Sequence, residues 1–292
     1  QMDKSSFNLS IIVPVYNEEK TLEKTISSLI RNASALGVDY EIIAVNDASK
    51  DKSMDVLEKF PSVKIISHSI NKGYGASLKT GIKQSLHEWV MIIDADGTYS
   101  PDFLSKLMKA TDGNDMVVGT RDKNSPGIPM RRKHAKKFLN RFASYLAGKE
   151  IPDLNSGMRL FKKEMAIKYW DIFPDRFSFT STLTMIAATK GYETVFTPID
   201  YRKRESKSSM KPSAFFSFLK LVVKLSLFFK PIKIFGPISL IIFIGAIVIL
   251  AAFFLDWTGG KFLDTTFVIL MATALQTFFF GLLAEIVIHN RK

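Results

Sequence analysis

The sequence predicts an α/β fold with a mostly parallel sheet, followed by two helices long enough to cross a membrane. Three observations carry this. Short β-branched runs alternate with helix-compatible stretches from about residue 8 to residue 119. Those runs are predominantly apolar rather than alternately polar, as strands covered on both faces are. Finally, Ile234–Leu255 is 22 residues without a charge, and Phe267–Ile288 is another 22 with only Glu285 charged.

In order, Leu9–Val15 reads as the first strand, and Leu22, Ile26, Leu29 and Ile30 then follow helical spacing. Tyr40–Val45, Val63–Ser67, Trp89–Ile93 and Asp115–Gly119 are the next strands, each short and rich in β-branched residues. Asp51–Phe60, Gly75–Ser85 and Pro101–Ala110 fill the gaps with helix-compatible sequence. A hydrocarbon core of roughly 30 Å needs about 20 apolar helical residues, so both C-terminal runs qualify as spans. Ahead of them, Pro212–Lys230 is rich in Phe and Leu, with Lys220 and Lys224 one turn apart. That suits a helix lying in the membrane interface, its lysines reaching lipid phosphates. The expected division is 1–210 as a catalytic domain, 211–233 as a juxtamembrane amphipathic helix, and 234–292 as a hairpin of spans 234–255 and 267–288.

Charge places the hairpin. Lys220, Lys224, Lys230 and Lys233 precede the spans and Arg291 and Lys292 follow, whereas the intervening segment holds Asp256, Lys261 and Asp264. The positive-inside rule predicts an integral membrane protein with its catalytic domain on the cytoplasmic face of the cell membrane. No charged-then-apolar leader follows Gln1 and Met2, so no cleaved signal peptide is expected.

The chain has 40 Lys plus Arg against 28 Asp plus Glu, a net charge of +12 that asks for an anionic partner. Nine of the basic residues, against two acidic ones, fall between Asp200 and Lys233; nine more, against one, fall in Arg121–Lys149. Charge concentrated in this way points to membrane lipids and phosphorylated substrates. With no DNA-reading helix or aromatic RNA signature, nucleic acid is not an expected partner. The absence of Cys excludes disulfides, thiolate metal sites and a cysteine nucleophile, and the four His are not at metal-ligand spacing.

Asp94-Ala95-Asp96 leaves the fourth strand into a loop that continues through Gly97. Two carboxylates at i and i+2 can hold a hard cation, which in turn can bridge a diphosphate. Turn-forming acids are common after strands, so the pair alone is ambiguous. Pro14-Val-Tyr-Asn-Glu18 and Asn46-Asp-Ala-Ser49 end the first two strands, where an aromatic ring and acids can stack on and read a nucleotide base. Asn17 and Asp47 read alternatively as cap or turn residues, and capping is the role expected of Asn17. Asn71-Lys-Gly-Tyr-Gly75 reads either as a phosphate-cradling loop or as a plain turn into a helix.

As a set, Ser10–Glu18, Val45–Ser49, Asn71–Gly75, Asp94–Asp96 and Gly119-Thr-Arg121 resemble the family 2 glycosyltransferases of GT-A fold, a Rossmann-like, mostly parallel architecture. Asp153-Leu-Asn-Ser-Gly-Met-Arg159 is similar to the Asp-x-x-Ser-Gly-Phe-Arg signature of the polyprenyl-phosphate branch, which includes dolichol-phosphate mannose synthases and undecaprenyl-phosphate glucosyltransferases. The resemblance spans roughly residues 8–210, and the two-span tail matches the bacterial arrangement. It implies inverting transfer of a hexose from UDP-glucose or GDP-mannose to a polyprenyl phosphate, giving a β-linked lipid-phosphate sugar for cell-envelope glycan or glycoprotein synthesis. It further implies that Pro14, Tyr16, Glu18 and Asp47 hold base and ribose, and that Asp94 and Asp96 bind Mg2+ or Mn2+ at the diphosphate. Arg121 and Arg204 would meet phosphate, Arg204 from a basic loop at 201–208 that also reads as a solvated cluster. Lys72, Arg131, Ser156 and Lys207 complete the expected substrate-binding set, and a homo-oligomer is compatible with it.

Two departures stand out: Asn46 replaces one of two usual acids, and Thr98 stands where many members have Gln. The rivals are a processive polysaccharide synthase and a non-enzymatic membrane-anchored scaffold with a degenerate nucleotide fold. The first would carry Gln-x-x-Arg-Trp, absent here, and more than two spans. Asp94, Asp96, Glu18 and Arg121 argue against the second.

Overall fold

The computed structural model describes residues 7–121, 130–176, 178–202, 230–255 and 264–289, with helical positions 220, 223, 224, 227 and 228. The chain divides into two compact units, Gln1–Phe218 and Leu219–Lys292.

The first unit is built on a sheet of seven strands: β1 (Asn8–Val15), β2 (Asp39–Asn46), β3 (Val63–Ser67), β4 (Trp89–Ile92), β5 (Met116–Arg121), β6 (Arg159–Lys162) and β7 (Thr194–Ile199). Their order is β3-β2-β1-β4-β6-β5-β7. β1 pairs in parallel with β2 and β4, and β2 with β3, while β6 runs antiparallel between β4 and β5. β7 adds in parallel to β5. The five strands read from sequence are all present. The inserted antiparallel β6 and the edge β7 were not read, because Arg159–Lys162 is only four residues with charged ends, and Thr194–Ile199 contains Pro198.

Helices cover the sheet. α1 (Glu19–Ser34) turns Leu22, Ile26, Leu29 and Ala33 inward at spacings of three and four. Each such buried Leu or Ile contributes about 1.5–3 kcal/mol relative to exposure. α2 (Ser53–Leu57), α3 (Tyr74–Gln84) and α4 (Leu104–Lys109, entered through a 3-10 turn at Pro101–Phe103) occupy the first three crossovers after α1. α5 (Met130–Ala147), α6 (Lys163–Lys168) and α7 (Phe179–Lys190) follow. α7 is buried from Phe179 to Ala187 although it holds four Thr or Ser in that stretch; Thr182 and Thr184 donate to the Ser178 and Thr180 carbonyls, while the buried Ser181 hydroxyl has no partner among the described residues.

The second unit contains α8 (Ile232–Phe254) and α9 (Asp264–His289), both long and apolar enough to cross a membrane. Only 11% of each apolar window is buried, and Ile241 and Phe254 are 69% and 76% exposed. A soluble core helix would be covered; these leave their apolar surface exposed, as a membrane span does. Ser239 donates to the Ala274 carbonyl at 2.7 Å, satisfying a polar group between the helices. Glu285 accepts from the Ile232 amide at 3.2 Å, setting a carboxylate at the amino end of α8 where the helix dipole favours it. The expected interfacial helix at 212–230 lies almost wholly outside the described residues.

Candidate active site

Six of the seven strands point the same way, so the carboxyl ends of β1, β2, β3, β4, β5 and β7 line one edge of the sheet. The amino end of antiparallel β6 joins them. Open α/β sheets bind ligands at such an edge, and Pro14, Tyr16, Glu18, Asp47, Asp94, Asp96, Arg121 and Ser156, singled out from sequence, lie at or next to the strand ends there.

At the end of β1, Pro14 is half-buried, Tyr16 is 43% exposed and Glu18 is buried. Asn17 has φ +56°, and its Oδ1 accepts from the Lys50 amide at 2.7 Å, which makes it a turn residue. Glu18 is the N-cap of α1 without a side-chain cap bond of its own. The loop after β2 caps the helix instead: Ser49 Oγ, Ser53 Oγ and Asp51 accept from the amides of Asn17, Glu18 and Glu19 at 3.0–3.1 Å.

Asp47 is 3% exposed, and three donors converge on its carboxylate. The Lys72 and Gly73 amides reach Oδ1 and Oδ2, both at 2.8 Å, and His68 Nδ1 lies 2.7 Å from Oδ1. The 71–75 stretch is therefore a turn into α3 and no free amide cradle. The Gly75 and Ala76 amides, in the first turn of α3, donate to the carbonyls of Arg176 and Asp175. Gly75 is required there, because a Cβ would fall on the backbone of residues 174–176. Lys72 keeps an exposed side chain.

Asp94 and Asp96 follow β4. The Tyr74 hydroxyl donates to Asp94 Oδ1 at 2.8 Å. Burial, then the charge of Asp94, pushes the Tyr74 pKa well above its ordinary value, so the hydroxyl stays a protonated donor. Asp96 Oδ1 accepts from both the amide and the hydroxyl of Thr98, at 3.1 and 2.6 Å. Thr21 of α1 donates to the intervening Ala95 carbonyl at 2.9 Å, tying the acid loop to the helix. Gly157 lies directly against the Asp94 carboxylate: a Cβ there would overlap its oxygens. The Gly157 amide donates to the buried Tyr99 hydroxyl at 2.8 Å.

Arg121 closes β5 with its guanidinium clamped on Asp153, Nε to Oδ2 at 2.8 Å and NH2 to Oδ1 at 2.7 Å, with a further bond to Asn155 at 2.9 Å. Its carbon centre lies 5.4 Å from the Tyr201 ring, which packs edge-on against Tyr99. The expected phosphate ligand is thus also the pin of the strand edge. Ser156 is fully buried and donates to the Gly119 carbonyl, holding β5 to the start of β6. Arg159 is fully buried as well, donating to the Ser156 and Thr180 carbonyls and to Thr184 Oγ1. Burial pulls it down to about 10, so it still carries its charge at neutral pH. Arg131 enters only as backbone in the first turn of α5, and Arg204 and Lys207 lie outside the described residues.

Sequence reasoning passed over His68, Tyr74, Tyr99, Asp153 and Arg159 as individual players. Tyr74, Asp153 and Arg159 stood inside quoted motifs, but their partners are 20 to 32 residues away. Among the described residues no three His, Cys, Asp or Glu gather as a metal-binding group. The two loop acids suit a hard cation that takes its remaining oxygens from water and a diphosphate.

Residues 10–170 match the family described as Glycosyl transferase family 2. Over 254 residues the chain is 26% identical to the undecaprenyl-phosphate 4-deoxy-4-formamido-L-arabinose transferase of Proteus mirabilis, covering 85% of this chain and 74% of that one. Over 249 residues it is 28% identical to a dolichyl-phosphate beta-glucosyltransferase of Trichomonas vaginalis, covering 78% and 76%. Its fold is similar to that of glucosyl-3-phosphoglycerate synthase of Mycobacterium tuberculosis, solved with Mn2+, UDP and phosphoglyceric acid. The TM-score is 0.62 at 15% identity, over 75% of this chain and 78% of that one.

Proposed function

Since the chain belongs to glycosyl transferase family 2 and is a glycosyltransferase of GT-A fold, we propose that it transfers a hexose from UDP-glucose or GDP-mannose to a membrane polyprenyl phosphate. Transfer to polyprenyl phosphate is what its named relatives support. The observation that carries the reading is the union, in one chain, of an acid-bearing strand edge with two helices that expose apolar surface.

The chemistry asks little of a general base. A lipid monophosphate is anionic near neutral pH, so its oxygen can attack the anomeric carbon without surrendering a proton. The bond from that carbon to the diphosphate oxygen breaks, and the nucleoside diphosphate leaves with the electron pair. In-line displacement converts an α-linked donor into a β-linked lipid-phosphate sugar. The protein must position two anions and compensate charge growing on the leaving group.

In this reading the exposed Tyr16 ring stacks on the base. Asp47, with three of about four acceptor positions filled from its own chain, has one left for a base N–H. Asp94 and Asp96 hold a divalent cation, which when bound supplies positive charge at the diphosphate. Tyr74 and Thr98 keep those carboxylates aimed, and Gly157 leaves room for Asp94. Arg121 adds charge from a rigid position, and Arg204 and Lys207 would approach from the basic loop. The catalytic domain faces the cytoplasm in this reading, with the basic flanks of the hairpin.

Purified full-length chain, given UDP-glucose, GDP-mannose or UDP-N-acetylhexosamines with polyprenyl phosphate and Mg2+ or Mn2+, tests it directly. The expected product is a lipid-phosphate monosaccharide seen by mass spectrometry. No transfer from any of these donors would overturn the reading.

A further inference from the structure

His68 closes the gap between β3 and α3 with a side chain only 5% exposed, yet the transfer step makes no use of it. Its backbone amide continues the β2 ladder to the Asn46 carbonyl at 2.9 Å. Its ring spans two elements: Nδ1 lies 2.7 Å from Asp47 Oδ1 and Nε2 lies 2.9 Å from Thr80 Oγ1 on α3.

We propose that His68 is a positioning residue for donor recognition, setting the rotation of the Asp47 carboxylate and locking it to α3 through Thr80. The proposal rests on Asp47 facing the nucleotide. Two of the donors on Asp47, the Lys72 and Gly73 amides, come from one turn and reach one oxygen each. Both come from the loop that leads into α3. The imidazole comes from the end of β3 and is itself held by Thr80, so this third donor, from a separate element, bears on where the remaining acceptor position points. Asp47 is nearly sealed from solvent, so water cannot easily replace a missing donor. Asp47 does not touch the leaving diphosphate in the proposed step. Loss of His68 should therefore weaken donor binding and leave the chemical step alone.

The test uses the full-length chain in lipid nanodiscs with UDP-glucose and GDP-mannose as donors, and UDP and GDP as calorimetric probes. His68→Leu should raise the donor KM and the nucleotide Kd on the order of tenfold, as expected for a lost bond to a charged group, with kcat within about twofold. His68→Asn, whose amide can still donate to Asp47, should recover most of that loss. Thr80→Val should shift KM in the same direction by less. If His68→Leu does not fold, the Asn and Val variants still separate the outcomes. Equal KM in wild type and variants, or a fall in melting temperature and kcat without a KM change, would overturn the positioning role. A wild-type chain that binds neither nucleotide would overturn both this proposal and the donor reading beneath it.

Discussion

Thr98 spends both its amide and its hydroxyl on one oxygen of Asp96, so the acid's direction is set before any ligand arrives. Removing the acid should abolish transfer: Asp96→Ala is expected to fold normally and to be inactive in both Mg2+ and Mn2+, with steady-state rates and thermal melting as the paired measurement. Thr98→Val should lower the rate about tenfold, in keeping with one charge-assisted bond lost. Gly157→Ala is predicted to behave like the Asp96 variant, because its methyl group would displace the Asp94 carboxylate. Arg121 invites a different expectation. Its fork is matched to Asp153 in a pair whose side chains are 13% and 1% exposed, and Lys cannot copy two parallel bonds. Arg121→Lys should cost about 2 kcal/mol of stability in chemical denaturation, beyond any effect on phosphate binding. The motif Gly119-Thr-Arg121 was legible in sequence. Its partner, 32 residues on, was not, since nothing local to either residue announces the pairing.

At the level of elements, β6 is the departure from a simple parallel sheet, and its entry brings Ser156, Gly157 and Arg159 to the edge where the strand-end acids lie. One end of it is tied by Lys162, which donates to Asp115 ahead of β5 at 2.9 Å. Burial pushes Asp115 up, but the Lys162 bond, the Glu193 amide and the Lys162 charge outweigh it and hold it below the usual 3.8. The Asp115 bond raises Lys162 above 10.5 despite some burial. The signs define a window. The acid's contribution is present above its unfolded value and is lost as pH falls through its depressed folded value; the lysine's is present below its unfolded value and is lost as pH rises through its raised one. Partly exposed pairs of this kind contribute about 1 kcal/mol at most. Lys162→Met should thus lower the melting temperature at pH 7 by a few degrees or less, and the gap to wild type should shrink as pH drops below 3.8. A gap independent of pH would show that Lys162 acts by packing rather than charge.

For the whole molecule, the division into two units separates the acid-bearing edge from the apolar hairpin. Full-length chain should float with liposomes, and a variant lacking 232–292 should still bind nucleotide sugar while using long-chain polyprenyl phosphate poorly. Full-rate use of long-chain acceptor by the truncated protein would reduce the hairpin to an anchor. Orientation is open to a clean test because the chain has no native Cys. In sealed cells, a membrane-impermeant maleimide should label Thr258→Cys, between the spans, and should reach Lys20→Cys on the exposed face of α1 only after lysis. Labelling of Lys20→Cys in sealed cells would invert the assignment.

The amino-acid sequence by itself determined where along the chain the five parallel-reading strands lie, the inward stripe of α1, and the two apolar spans. Each of these is written in local periodicity or in uninterrupted hydropathy, and burial on one or both faces enforces it. It also determined which acids end which strands. Tertiary structure alone decided what those residues touch. Asp47 turns out to be held by His68 and by a turn 25 residues ahead, Arg121 by Asp153, Ser156 by Gly119, and Asp94 by Tyr74 and the open space at Gly157. Insertion of β6 between β4 and β5 brings several of these partners together. Strand order across a crossover depends on which surfaces pack best over long separations, and a sequence window has no term for that.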